Sequence, residues 1–348
     1  MKPYVVFGAG AVGSALAAYL ARTGHAVTIV GRPAHVDAIR AQGGALRAVA
    51  RDGSFLAPVR ATTSLPETLA PDAVLMLGVQ APDVRVAAEA IAPAARTREV
   101  ITWQNGIRAE ATAAAFCPRI LGGVVRFTAT MLVPGEVRLR HPGQLIVGRH
   151  PEGPDSVAAS IVEDLRGAGF TASESPRIAE DKALKLLINL VSGPPVLLRR
   201  TGIEPVLARV QVAVLEEAVR VFAAAGIVAR PASGLGQPVE ALLAHFRAGG
   251  SAPDTSGGIY NSTWQNLYHR RPRIENDFYH GEIVRLGAQH GVPTPVNACA
   301  LETLEDVRRR GLGPEPFDLD AFRARFAGVV DFDAPAEDPL PPPPGLEI

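Results

Sequence analysis

Cysteine is nearly missing from this sequence: 348 residues carry two, Cys117 and Cys299. They lie far apart, with no Cys or His neighbour at metal-ligand spacing, so neither a disulfide framework nor a zinc site is supported. Both are expected as small buried hydrophobes. An excess of one charge is lacking too, since 35 Lys and Arg face 35 Asp and Glu. That balance argues against nucleic acid or an anionic lipid surface as partner, because such proteins carry a basic excess or stripe. No run reaches the length of a membrane span. The start, one lysine and then a strand-like run ending in glycine, lacks the order of a signal peptide. A cytoplasmic protein with a small-molecule partner, no nucleic acid and no membrane is expected.

What is present is alternation. Residues 4–7, 27–30, 73–79 and 100–103 are short apolar runs separated by amphipathic stretches, the pattern of βα units on a buried parallel sheet. Over residues 119–148 the pieces shorten, with Pro134-Gly135 and Pro142-Gly143 as turn signals, and antiparallel strands added at the sheet edge are expected. Beyond Pro176 helical periodicity dominates, over 177–191, 203–225, 239–248, 274–290 and 295–309. The fold class expected is α/β, with a Rossmann-type domain over 1–175 and an all-helical substrate and dimerisation domain over 176–330. Residues 331–348, rich in proline, are expected to be a disordered tail.

Gly8-Ala9-Gly10-Ala11-Val12-Gly13 follows the first strand and opens a helix, which is the context a dinucleotide fingerprint requires. The first glycine permits the tight turn, the second lets the backbone approach a pyrophosphate, and the third lets helix and strand pack closely. The helix N-terminus supplies unpaired amides and partial positive charge. At the end of the second strand, where NAD sites place an acidic residue for the ribose hydroxyl, this chain has Arg32. A guanidinium can hold a 2′-phosphate in a charge-assisted bond, so NADP(H) is the expected cofactor; an ordinary surface arginine is the alternative.

Asn105, in Gln104-Asn105-Gly106, follows the strand at 100–103, at the end where open α/β sheets bind ligands; the pair Asn-Gly also makes a turn unaided. In the helix at 177–191, Lys182, Lys185 and Asn189 share one face. Lys185 stands among leucines, where a desolvated ammonium must be paired or used, and in a reductase it can protonate the forming alkoxide. A lysine snorkelling from a core helix is the plainer reading, and Lys182 is the fallback acid. Ser262 reads equally well as a helix cap, and Glu275 as a carboxylate favoured in a first helical turn.

Together these segments resemble the ketopantoate reductase family, from about Tyr4 to about Arg309. The resemblance rests on Val6 to Gly13, Gln104-Asn105-Gly106, Gly122-Gly123-Val124 through Pro134-Gly135 to Gly148, Lys185 with Asn189, and Ser262-Thr263-Trp264-Gln265 followed by Glu275. It implies an NADPH-preferring enzyme with a helical second domain. In it Lys185 is the general acid and Glu275 binds the substrate hydroxyl. Asn105 contacts cofactor and substrate, Ser262 contacts the substrate carboxylate, and Asn189 helps hold the substrate. Three departures bear on the substrate: Gln80 stands on the cofactor side where a lysine is usual, Gly193 replaces a second asparagine, and the spacing from Gln265 to Glu275 is one residue longer.

The expected activity is NADPH-dependent reduction of a 2-oxo acid to a 2-hydroxy acid, with 2-dehydropantoate as leading substrate, by a homodimer. The alternatives are a relative acting on another oxo acid or imine, or working oxidatively, and a non-catalytic NADP(H) sensor.

Overall fold

The computed structural model describes residues 1–51, 53–199, 205–248 and 260–333. The chain divides into two compact units. Among the described residues, the first comprises those up to Lys182 together with 232–235 and 260–261, and the second comprises the others. The division falls after Lys182, inside a helix that runs unbroken from Ile178 to Val191, where composition places it at Pro176.

In the first unit, β1 (Tyr4–Phe7), α1 (Ala11–Arg22), β2 (Val27–Val30), α2 (Pro33–Ala41), β3 (Ala45–Ala50), β4 (Gly53–Pro58), β5 (Arg60–Thr62) and β6 (Val74–Leu77) come first. They are followed by α3 (Val84–Ala95), β7 (Val100–Thr102), α4 (Ala109–Ala114), β8 (Ile120–Arg126), β9 (Ala129–Thr130) and β10 (Glu136–Leu139). Then come β11 (Gln144–Arg149), α5 (Ser156–Gly167), β12 (Thr171–Glu174) and α6 (Ile178–Val191). The main sheet has the order β12-β11-β8-β7-β6-β1-β2-β5. Every neighbouring pair in it is parallel except β11 with β8. All four residues of β6 are buried, as a parallel strand covered on both faces demands. The chain passes from β1 to β2 on one side and returns to β6 on the other, so the topological switch, where such sheets take ligands, lies at the carboxyl end of β1.

The expectation for residues 119–148 needs correction. β8 is an internal strand parallel to β7, and only β11 is antiparallel to it. The pieces β9 and β10 leave the main sheet and join β3 and β4 in a separate four-stranded sheet, β4-β3-β10-β9. Its β3 reads ALRAVA, whose alanines have weak strand preference, and its partner β10 lies far along the chain. Periodicity within one segment does not reveal such a pairing.

The second unit is helical: α7 (Pro205–Ala225), α8 (Val239–Arg247), α9 (Ser262–Tyr268), α10 (His280–His290), α11 (Pro295–Arg309) and α12 (Leu319–Phe326). Leu207, Val210, Val214, Ala218 and Val221 recur at three- and four-residue steps on α7 and are buried, the stripe an amphipathic helix presents to a core. Val210 and Val214 join Leu304, Phe322 and Phe326 in one cluster. The single helix expected over 274–290 is instead a 3₁₀ turn, Glu275–Phe278, and then α10. Tyr279, at φ −114 and ψ −91, breaks it, and the side chain of Asn276 is drawn to Thr263. Expected helical residues 203–204 and tail residues 334–348 lie outside the described residues. Among the described residues no helix is long and apolar enough to cross a membrane.

Candidate functional site

The glycine turn of the first unit is shaped by contact between backbones. Gly8 has φ +96, a region side chains other than glycine rarely enter. A Cβ there would come within 2.6 Å of the Val79 nitrogen. The reverse holds at the end of β6, where a Cβ on Gly78 would lie 2.4 Å from the Gly8 carbonyl oxygen. Gly78 is therefore as necessary as the motif glycines, and sequence reading missed it because its partner is on another strand. A Cβ on Gly13 would stand 2.8 Å from the same oxygen, so α1 packs close to β1. At the α1 N-terminus Gly10 offers no side-chain cap, leaving the first amides, with Ala11 and Val12, without a partner in the helix. This main-chain cradle fits a dinucleotide pyrophosphate. Ala9 is buried beside it.

Arg32 follows β2 and precedes α2. Its side chain is exposed and makes no hydrogen bond or ion pair among the described residues. Gln80 is half-buried just past Gly78 and its carbonyl accepts from the Asp83 amide at 2.9 Å. Asn105 is half-buried past the end of β7.

Its neighbour Gln104 is buried and clamps the two strand ends. The Gln104 Nε2 donates to the carbonyls of Leu77 at 2.7 Å and Val79 at 2.9 Å. The Gln104 carbonyl accepts from Lys182 Nζ at 2.9 Å. Lys182 also pairs with Glu110, whose Oε1 accepts from Thr102 Oγ1 at 2.5 Å. Lys182 and Glu110 are 3% and 4% exposed. An ammonium held this way is committed, so Lys182 is withdrawn as the fallback acid.

In the second unit α6 carries Lys185 and Asn189, both half-buried. The Asn189 amide nitrogen is enclosed with no hydrogen-bond partner. Glu275 is buried, and its Oε2 accepts from the Tyr279 hydroxyl at 2.9 Å. Ser262 opens α9, and the next residue, Thr263, donates to Asn276 Oδ1 at 3.4 Å. That bond ties the Ser262 segment to the Glu275 segment. Asn276 Nδ2 in turn lies 3.6 Å from where a Cβ on Gly193 would be. The structure thus gathers the end of α6, the start of α9 and the turn at Glu275.

His280, which sequence reading did not single out, stands at the same place. Its Nε2 would be 2.8 Å from a Gly193 Cβ and has no hydrogen-bond partner. Its Nδ1 is 2.9 Å from Asn297 Oδ1. The Asn297 amide nitrogen donates to the Val214 carbonyl and to Glu217, so its oxygen faces the ring, Nδ1 carries the proton and Nε2 is a bare acceptor. Burial holds the His280 pKa down to about 4.

Among the described residues no group of His, Cys, Asp and Glu could hold a metal ion. Cys117 is buried, whereas Cys299 is only half-buried, contrary to expectation.

Two sequence families match this chain. The one described as ketopantoate reductase PanE/ApbA covers residues 4–152, and the one described as ketopantoate reductase PanE/ApbA C terminal covers residues 177–308. A 2-dehydropantoate 2-reductase of Pyrococcus horikoshii is 26% identical over 302 residues, 85% of this chain and 94% of that protein. Another, from Archaeoglobus fulgidus, is 28% identical over 309 residues, 87% of this chain and 96% of its own. Among solved structures, a PanE/ApbA family ketopantoate reductase from Ralstonia eutropha JMP134 superimposes with a TM-score of 0.72 at 26% identity, covering 88% of this chain and 99% of that chain. A D-mandelate dehydrogenase solved with NADH and anilino(oxo)acetate shares the fold, with a TM-score of 0.75 at 22% identity over 88% of this chain and 99% of its own.

Proposed function

The chain belongs to the ketopantoate reductase PanE/ApbA family, and on that premise we propose that it reduces a 2-oxo acid to the 2-hydroxy acid with NADPH, 2-dehydropantoate being the leading substrate. The observation that carries the reading is the side-chain-free approach of Gly8 to Gly78 beneath the uncapped start of α1. That arrangement packs α1 and β6 closely on the end of β1 and leaves main-chain amides free of side chains for a pyrophosphate. Gly8, Ala9, Gly10, Ala11, Val12 and Gly13 hold the pyrophosphate, and Arg32 pairs with the 2′-phosphate. Gln80 and Asn105 lie on the cofactor side.

A nicotinamide nucleotide, when bound, would supply hydride to the ketone carbon. Lys185 gives a proton to the carbonyl oxygen as it becomes a hydroxyl, which balances the reduction. Glu275, fixed by Tyr279, accepts from that hydroxyl, and Asn189 and Ser262 hold the rest of the substrate.

A second reading is favoured by one observation. Where the resemblance implies an asparagine, this chain has Gly193 beside His280 Nε2, and on this reading the acid reduced is a different one; the D-mandelate dehydrogenase solved with NADH and anilino(oxo)acetate has the same fold.

The test is a panel of 2-oxo acids with NADPH and NADH. Turnover of 2-dehydropantoate supports the first reading, failure with it and turnover of another acid the second. Nucleotide binding with no turnover at all returns the sensor alternative. In the active pair Lys185→Ala is expected to lower kcat roughly 10²- to 10⁴-fold while NADPH binding is unchanged; full activity would remove Lys185 as the acid.

A further inference from the structure

Arg126 is the last residue of β8. The pairing of β7 with β8 ends at Thr102 and Gly122, so β8 carries Arg126 beyond its neighbour, at the same carboxyl end of the sheet as Gly8, Gly78 and Asn105. Side chains alternate along a strand, which sets Arg126 on the face of Val124. That face packs on Ile146 and on Ile178 of α6.

Although the residue is half-buried, its Nε and Nη2 are enclosed and neither has a hydrogen-bond partner. These two nitrogens form one edge of the guanidinium, the edge whose parallel N–H bonds match the two oxygens of a carboxylate. Buried charged donors without an acceptor are costly, and burial pulls the Arg126 pKa down against the favourable charge of Asp181.

Asp181 does not answer the need. Its Oδ2 accepts from Ser175 Oγ at 2.6 Å and from the Ser233 amide at 3.1 Å, and its Oδ1 accepts from Ser233 Oγ at 2.7 Å. It is close enough to be felt as a charge, yet its oxygens are taken by neutral donors and none meets Arg126. Asp181 and the serine pair place a negative charge near Arg126 and leave the Nε–Nη2 edge without an acceptor.

We propose that Arg126 is a carboxylate-binding residue of the first unit, taking the acid group of the substrate on its Nε–Nη2 edge. The assignment rests on the oxo-acid reading above and names the group by which the acid is selected.

Full-length protein with Arg126→Gln and Arg126→Lys tests it. Turnover is measured with the best 2-oxo acid of the panel and with its neutral methyl ester, and NADPH binding by fluorescence titration. Arg126→Gln is expected to raise KM for the acid roughly 10- to 100-fold, the loss of a charge-assisted pair, with ester kinetics and NADPH binding unchanged. Arg126→Lys keeps the charge but not the fork and falls between. An equal loss on acid and ester, or an unchanged KM, overturns the proposal. Calorimetric titration with oxamate in the presence of NADPH separates the two claims if no acid is turned over. Oxamate bound by the natural chain and lost in Arg126→Gln upholds the carboxylate site even then. Equal binding by both, or none by the natural chain, refutes it, and a thermal melt of each variant confirms that the proteins compared are folded.

Discussion

Arg32 and Lys182 are cations with opposite fates, and the contrast shows what a side chain must be free of before it can bind a ligand. Lys182 is enclosed and occupied by Glu110 and the Gln104 carbonyl. The Arg32 side chain is exposed and makes no hydrogen bond or ion pair among the described residues, so its hydrogen-bonding capacity remains for a solute. Replacing it by a carboxylate reverses the charge at the position where a 2′-phosphate would sit. Arg32→Asp is therefore expected to lower kcat/KM for NADPH far more than for NADH; parallel titrations of both nucleotides check this, and equal losses would strip Arg32 of its assignment.

Among the elements, the buried pair Lys182–Glu110 joins α6 to α4, and through Gln104 and Thr102 it reaches β7. Removing one partner leaves the other charge enclosed, a loss of roughly 3–5 kcal/mol. Lys182→Met should show that loss in urea unfolding, and the double change Lys182→Met with Glu110→Leu should recover most of it. A single variant as stable as the natural chain would mean that the pair contributes nothing. This network also marks where the sequence stops being readable. The glycine turn, Arg32 and the polar face of α6 could be read because each is a local pattern on one element. Gly78 and Glu110 could not, because each matters only through a strand or helix distant in sequence. The sheet β4-β3-β10-β9 escaped notice for the same reason, and the break at Tyr279 because a helical period continues through it.

For the molecule as a whole, acid response follows from enclosed imidazoles. Burial lowers the pKa of His35 as well as that of His280. His35 is fixed in its neutral form, since its Nδ1 accepts from the Gly135 amide at 3.0 Å while its Nε2 lies 3.2 Å from Ser14 Oγ. The unfolded chain takes up protons at an ordinary histidine pKa near 6.5 and the folded one resists. Stability is thus complete above pH 6.5 and declines as pH falls toward the folded values. His280 alone, with its pKa at about 4, contributes a decline on the order of 3 kcal/mol across that window. Asp155, whose carboxyl is held low by the α5 amides and Arg149, adds a loss at still lower pH, while the raised Asp181 acts in the opposite direction. Urea unfolding at pH 7, 6, 5 and 4 should show the slope, and His280→Asn should flatten it; parallel slopes in the two proteins would rule His280 out as its source.

Where the first strand of the main sheet meets its neighbour, no side chain intervenes between Gly8 and Gly78. A seat made of peptide groups cannot be tuned by exchanging residues without closing it, whereas the rim at Arg32 can be altered freely. On the proposed function, which nucleotide is chosen and where it rests are separate traits, and redesign of the preference should begin at the rim and leave the floor untouched.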